Sequence, residues 1–149
     1  MRAVVTRVTS ASVSVEEAPV AEIEHGLLVL LGAEDGDTEK DISYIAEKVI
    51  HLRIFEDEQD KMNCSLLDVG GEILLVSQFT LLGDARKGRR PSFTKAGSVV
   101  AAKEIFEKTV AVFEQTGVPV KTGVFQAEMQ VASVNDGPVT MLLDSRKTF

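Results

Sequence analysis

Cysteine, histidine and tryptophan are scarce in this chain of 149 residues, and their scarcity excludes several kinds of site. Cys64 is the single cysteine, which excludes an internal disulfide framework and a cysteine-rich zinc site. His25 and His51 are the only histidines, and no HExxH or CxxC spacing is present, so we expect neither a metal nor a cofactor. The glycine-rich phosphate and dinucleotide loops and the GxSxG nucleophile elbow are also missing.

Long hydrophobic runs and an excess of positive charge are absent as well. The longest apolar run, residues 27–31, is far too short to span a membrane, and the N-terminal stretch is too polar for a secretory signal. We therefore expect a cytoplasmic protein with no membrane association. Acidic residues outnumber basic ones by 23 to 16, which argues against binding nucleic acid through overall charge but allows a local basic site.

The hydrophobic pattern predicts one α/β domain over residues 1–149. A glycine-bounded apolar run at 26–33 and a second at 72–82 are typical of strands buried on both faces. A helix is predicted over 38–53, where Thr38 and Asp41 form a capping box, and another over 98–116. Further strands are predicted near the N-terminus and over 118–125, 127–134 and 139–144. We expect a mixed sheet with the helices on one side, and either a second sheet layer or a partner subunit over the other.

Two polar segments interrupt this pattern. Ser77, Gln78, Phe79 and Thr80 end an otherwise apolar strand, where polar groups must find partners or face a pocket. A basic cluster follows at once, because five of the 16 basic residues fall within residues 86–95. Its members in the first half of this loop are Arg86, Lys87, Arg89 and Arg90. The cluster is either a solvated loop or a local basic site beside the pocket.

The second polar segment is Asn135-Asp136-Gly137-Pro138. The turn-forming residue types alone predict a hairpin connection between two strands. The sharper interpretation is a cis Gly-Pro bond at a loop tip, which would present main-chain carbonyls without bulky side chains.

Four stretches together resemble the D-aminoacyl-tRNA deacylases: MRAVVTRVTSASVSV (1–15), EKVIHLRIFEDEQDKMN (47–63), SQFTLLGDARKGRRPSF (77–93) and MQVASVNDGPVT (129–140). The resemblance runs from Met1 to about Ser145, and its specific signatures are SQ-F-T-L and N-x-G-P-x-T. Leu82 stands where an aromatic residue is common, and Ala132-Ser133 is a more polar pair than expected. Residues 146–149 lie outside the resemblance.

This resemblance implies a three-layer α/β/β fold, a homodimer, and hydrolysis of the ester that joins a D-amino acid or glycine to the 3′-terminal adenosine of tRNA. It implies that residues 77–80 line the pocket, and that Gly137 and Pro138 enter the partner's pocket and exclude L-amino acids. Met129 and Arg7 would pack around that motif, and the basic loop would face the tRNA acceptor end. We expect water to attack the ester, with N–H groups near Gln78 and Phe79 stabilising the oxyanion and the ribose 2′-hydroxyl assisting.

Two other interpretations remain open on the residues alone. A non-catalytic RNA-binding module using loop 86–95 would explain the basic cluster but neither polar motif. A structural dimer without a ligand predicts no affinity for tRNA.

Overall fold

A computed structural model describes all 149 residues, which form eight β-strands and three α-helices. The strands are β1 (Arg2–Val15), β2 (Ala18–Ile23), β3 (Gly26–Gly32), β4 (Phe55–Glu56), β5 (Met62–Cys64), β6 (Glu72–Ser77), β7 (Val120–Thr122) and β8 (Gln130–Asp144). The helices are α1 (Glu39–His51), α2 (Leu66–Val69) and α3 (Val99–Gln115). None of the three helices combines the length and apolar character that crossing a bilayer would require.

Strand β1 organises a mixed sheet of six strands. Its first half pairs antiparallel with β3, its second half pairs antiparallel with β2, and β8 runs antiparallel along its other edge. Strands β3, β6 and β7 are parallel to one another. Strands β4 and β5 form a separate small hairpin. The mixed sheet expected from the sequence is therefore confirmed.

The helices cover one face of this sheet. The capping box at Thr38 is present, since its backbone N–H donates to the Asp41 carboxylate over 2.8 Å, and it fixes the start of α1. The buried face of α1 packs with β1, β3, β6 and Phe113 of α3 in one hydrophobic core. Burying each large apolar side chain stabilises the fold by about 1.5–3 kcal/mol, so this core dominates the stability. The buried side chains of α1 are Ile42, Ile45, Ala46, Val49 and Ile50.

The opposite face of the sheet is covered by the same chain. Because side chains alternate along a strand, Leu28, Leu74 and Val76 point away from the helices, and they pack against the second half of β1 and against Ile23 of β2. The second half of β1 and strand β2 thus form the second β layer, which confirms the α/β/β arrangement. A second sheet layer, one of the two coverings expected for this face, is present.

Several predicted boundaries are wrong. The strand predicted over 72–82 ends at Ser77, and a 3₁₀ turn, Phe79–Leu82, follows it. Of the strand predicted over 118–125, only β7 forms. The short helix α2 was not predicted, although Ser65 and Asp68 form its capping box and Gly70 ends it with a positive φ of 64°.

The strands predicted over 127–134 and 139–144 are one strand, β8, so the hairpin interpretation of residues 135–138 is also wrong. In the pairing with β1, Thr6 lies opposite Thr140 and Val8 opposite Asn135. One residue of β1 therefore faces four residues of β8, and residues 136–139 form an outward bulge. The expected cis bond between Gly137 and Pro138 is present within this bulge.

Candidate active site

A cavity of about 460 Å³ lies where β6 ends, against the first turns of α3. Ser77, Gln78 and Phe79 form one wall. The other walls come from the chain before and within α3 and from the segment that leads into β8, and most of the lining is hydrophobic. These remaining lining residues are Ala33, Val76, Ala96, Gly97, Val99, Ala102, Phe125, Gln126, Ala127, Met129 and Val131.

The turn after β6 is held tightly against the end of β3. The Gln78 N–H donates to the Leu31 carbonyl over 2.7 Å, and the backbone then turns, with Gly83 N–H donating to the Thr80 carbonyl over 3.0 Å. A Cβ on Gly32 would lie 2.9 Å from the Gln78 carbonyl oxygen and 2.6 Å from Leu82 Cδ2, so only glycine allows the turn to approach this closely. The close approach fixes where Gln78 and the following residues stand.

Two main-chain donors at this turn are left without an acceptor in the chain, the N–H groups of Phe79 and Thr80. This arises because the first N–H groups of a helical turn have no intrahelical partner. The expectation of free N–H groups near Gln78 and Phe79 is corrected in part, because the Gln78 N–H is occupied by Leu31. Thr80 does not line the cavity, and its hydroxyl accepts a hydrogen bond from the Gln78 amide.

The cavity contains no titratable side chain: its polar lining groups are Ser77, Gln78 and Gln126. Both histidines lie elsewhere, His25 edge-on against Phe55 at 5.2 Å and His51 exposed at the last turn of α1. No group of three or more His, Cys, Asp or Glu side chains is placed to hold a metal ion. The protein therefore offers hydrogen-bond donors and shape at this site, but no acid or base.

The basic loop stands beside this cavity. Asp84 and Ser92 exchange two backbone hydrogen bonds of 2.8 and 2.9 Å, which close the loop, and the residues between 85 and 91 are exposed. Phe93 then packs edge-on against Phe79 with ring centroids 5.2 Å apart. Phe79 lines the cavity before the loop, and Ala96 and Gly97 line it after the loop, so both ends of the basic loop adjoin residues of the cavity wall.

The four basic residues of the loop are not equivalent. Arg86 Nε donates to Asp84 Oδ1 over 2.9 Å, and the hydrogen bonds from Arg86 hold the pKa of the Asp84 carboxyl well below its ordinary value. Lys87, Arg89 and Arg90 have no acidic partner within the chain. Three of the four predicted cations are therefore free to meet an anionic ligand.

The bulge of β8 lies outside the cavity of its own chain, and Gly137 and Pro138 are exposed at its tip. Arg7 lies beneath it, only 4% exposed, with Nε donating to the Asp136 carbonyl over 3.2 Å and Nη1 to the Ile54 carbonyl over 2.6 Å. Met129 lines the cavity instead. Within one chain, Arg7 is thus grouped with the Gly-Pro bulge and Met129 with Ser77 to Phe79.

Sequence reasoning missed the wall built from residues 125–127 and the start of α3. The segment 125–127 carries no motif, and the prediction placed it at the junction of two strands, 118–125 and 127–134. The one sequence signal for this wall is Ser98, the N-cap of α3. Its side chain accepts a hydrogen bond from the Ala101 N–H over 3.3 Å and so fixes the start of α3 at Val99.

The sequence and the fold match one known class of protein. A family model described as D-Tyr-tRNA(Tyr) deacylase matches residues 4–144. The D-aminoacyl-tRNA deacylases of Kosmotoga olearia and Desulfitobacterium hafniense are 60% and 59% identical to this chain, each over 100% of both chains. A solved structure described as c-Myc DNA unwinding element binding protein is 41% identical, with a TM-score of 0.92, and covers 97% of this chain and 98% of its own. The chain therefore belongs to the D-Tyr-tRNA(Tyr) deacylase family, as the resemblance predicted.

Proposed function

We propose that this protein hydrolyses the ester bond of D-aminoacyl-tRNA and releases the D-amino acid and the tRNA. One observation carries the proposal: an apolar cavity, lined by a turn with two main-chain donors that lack an acceptor, adjoins both ends of a loop with three unpaired cations. The cavity suits an aminoacyl group, and the cations suit the phosphates of the acceptor end. The names of the curated relatives support this substrate class.

The chemistry is an attack of water on an activated ester. The water oxygen bonds to the carbonyl carbon, the bond to the ribose 3′-oxygen breaks, and a proton passes to that leaving oxygen. We propose that the N–H group of Phe79, which lines the cavity, and that of Thr80, the next residue, stabilise the developing oxyanion; such a donor is worth about 2.7–4 kcal/mol in an acyl transfer. Since the cavity offers no base, we propose that the substrate's own 2′-hydroxyl orients the water. The reaction so described needs neither a metal nor a cofactor.

A homodimer is the second part of the proposal. Strand β8 pairs on one edge only, with β1, and leaves Val131, Val134, Met141 and Leu142 exposed. A long unpaired strand with exposed apolar residues is a liability that a second copy of the chain would remove. We propose that β8 forms the interface and that Gly137 and Pro138 of each chain enter the cavity of the other, near Met129.

Chirality follows from this arrangement. A wall of main chain that occupies the space of an L side chain rejects L-aminoacyl esters and leaves room for a D side chain. Glycine has no side chain to strike the wall, so glycyl-tRNA is also a substrate in this proposal. The substrate is made in the cytoplasm, which is the location we propose.

Deacylation assays with D-tyrosyl-, L-tyrosyl- and glycyl-tRNA, run side by side, test the proposal. We expect release of D-tyrosine and glycine and little release of L-tyrosine above the spontaneous rate. Equal release of both enantiomers would contradict the role given to Gly137 and Pro138. Binding of tRNA without release of any amino acid would favour the non-catalytic RNA-binding module built on loop 86–95. Neither binding nor release would favour the structural dimer.

A further inference from the structure

The bulge that carries Gly137 and Pro138 is closed at its base by two side chains. Asn135 and Thr140 are the last residues on either side that still pair with β1, opposite Val8 and Thr6. The four residues between them leave the ladder. A bulge of this length has few main-chain hydrogen bonds of its own, so its shape depends on other contacts.

Asn135 supplies two of those contacts. Its side-chain oxygen accepts a hydrogen bond from the Val139 N–H over 3.1 Å, and its Nδ2 donates to Thr140 Oγ1, also over 3.1 Å. Thr140 Oγ1 in turn lies 3.4 Å from the hydroxyl of Thr6 on the neighbouring strand. The Asn135 amide therefore spans the base of the bulge and joins its two ends, and Thr140 ties that amide to β1.

This pair differs from Arg7, which holds the bulge at Asp136 from beneath. Asn135 and Thr140 hold the other side of the bulge, where the Val139 N–H, directly after Pro138, donates to Asn135. Both side chains are exposed in one chain, so they contribute nothing to either hydrophobic core. Their hydrogen bonds restrict the bulge and do not build the fold.

We propose that Asn135 and Thr140 are positioning residues that fix the Gly137–Pro138 bulge, and that rejection of L-aminoacyl-tRNA depends on them. The proposal rests on the proposed function, since the bulge is taken as the wall that an L side chain strikes. A bulge that is free to move no longer blocks the space that an L side chain would occupy. The D side chain and glycine do not meet the wall, so their hydrolysis does not depend on it.

The test compares Thr140→Val and Asn135→Ala with the conservative variant Thr140→Ser, which keeps the hydroxyl. For each protein, kcat/KM is measured with D-tyrosyl-, L-tyrosyl- and glycyl-tRNA. Each of the first two variants removes both hydrogen bonds of the altered side chain, so we expect each to lower the D-to-L ratio by about ten-fold or more, through faster hydrolysis of the L ester. Thr140→Ser should keep the wild-type ratio, and all variants should keep the wild-type rate with glycyl-tRNA.

Hydrogen exchange of the Val139 amide gives a readout that does not depend on activity. Exchange should accelerate in Asn135→Ala, while amides of the buried strand β6 stay protected as in the wild type. A D-to-L ratio unchanged in both Thr140→Val and Asn135→Ala, in proteins whose β6 amides remain protected, would overturn the proposal. A wild-type protein that releases no D-tyrosine would overturn the proposed function, and the selectivity proposal with it, whereas the exchange result would still show whether Asn135 holds the bulge.

Discussion

The salt dependence of tRNA binding provides a quantitative test of the basic loop. Each single-strand phosphate contact contributes a slope of about −0.7 to a plot of log affinity against log salt concentration. Lys87, Arg89 and Arg90 have no acidic partner, whereas Arg86 is held by Asp84. Three contacts therefore predict a slope near −2, which corresponds to an affinity loss of about 20-fold between 50 and 200 mM salt.

The perturbation is the double substitution of Arg89 and Arg90 by glutamine. It leaves one free cation, so the slope should fall to about −0.7 and the affinity loss over the same salt range to about 2.5-fold. Arg86→Gln is the matched control, since it removes the same charge from the same loop at a residue already paired. Its slope should stay near the wild-type value.

Binding is measured with deacylated tRNA, so that turnover does not interfere, by fluorescence anisotropy at four or more salt concentrations. A further variant, Asp84→Asn, should gain one phosphate contact. It removes the carboxylate that pairs with Arg86 and should therefore steepen the slope by up to about 0.7. A double variant with the wild-type slope would refute the assignment of the loop to phosphate contacts. A slope that falls equally in Arg86→Gln would refute the distinction drawn from the Asp84 pair.

Four other substitutions test the turn, the chemistry and the dimer. Gly32→Ala places a methyl 2.9 Å from the Gln78 carbonyl oxygen and 2.6 Å from Leu82 Cδ2, so we expect a loss of about 1–3 kcal/mol in unfolding free energy and a lower kcat/KM. Unchanged kcat/KM would mean that the position of the turn does not affect catalysis. Thr80→Ala should retain substantial activity, and a trapped acyl-enzyme in the wild type would contradict attack by water. Val134→Glu and Leu142→Glu should yield monomers in sedimentation, whereas intact dimers would place the interface away from β8.

The parts of the fold that the sequence predicted are those fixed by local pattern. The apolar runs that became β3 and β6 are bounded by glycines, and the Thr38 capping box involves residues only three apart. Strand β8 could not be predicted in the same way. Its Asn-Asp-Gly-Pro segment has the local chemistry of a turn, and only pairing with β1, more than a hundred residues away, makes it part of one strand.

The site, like the fold, has parts that the local sequence predicts and parts that only the tertiary structure reveals. Ser77 to Phe79 could be predicted because polar residues that end a buried strand must face a pocket or a partner. The pairing of Arg86 with Asp84 is local too, because the two residues are only two positions apart and the Arg86 N–H also donates to the Asp84 carboxylate. The grouping of Met129 with the cavity is not local: it depends on how residues 124–129 fold back onto Gly123, where a Cβ would lie 2.6 Å from the Met129 sulfur.

The pH dependence of the reaction tests the absence of an acid or base in the cavity. The lining residues hold no titratable side chain, so the protein should add no inflection to the profile of kcat/KM between pH 5.5 and 8. Asp84, beside the cavity, does not alter this expectation. Arg86 lowers its pKa, so the carboxylate is charged throughout this range and the pair weakens only in strongly acidic solution, as the pH falls toward the lowered value.

The one titration expected is that of the substrate's own α-amino group, whose ordinary pKa is about 7.7–8.0. The profile is measured with D-tyrosyl-tRNA after subtraction of spontaneous hydrolysis, and repeated with His25→Asn and His51→Asn, which remove the two histidines of the chain. We expect all three proteins to give one profile. An inflection near pH 6.5, where imidazole ordinarily titrates, that disappears in either variant would show that a histidine takes part in the reaction and would refute hydrolysis assisted only by main-chain donors and the substrate.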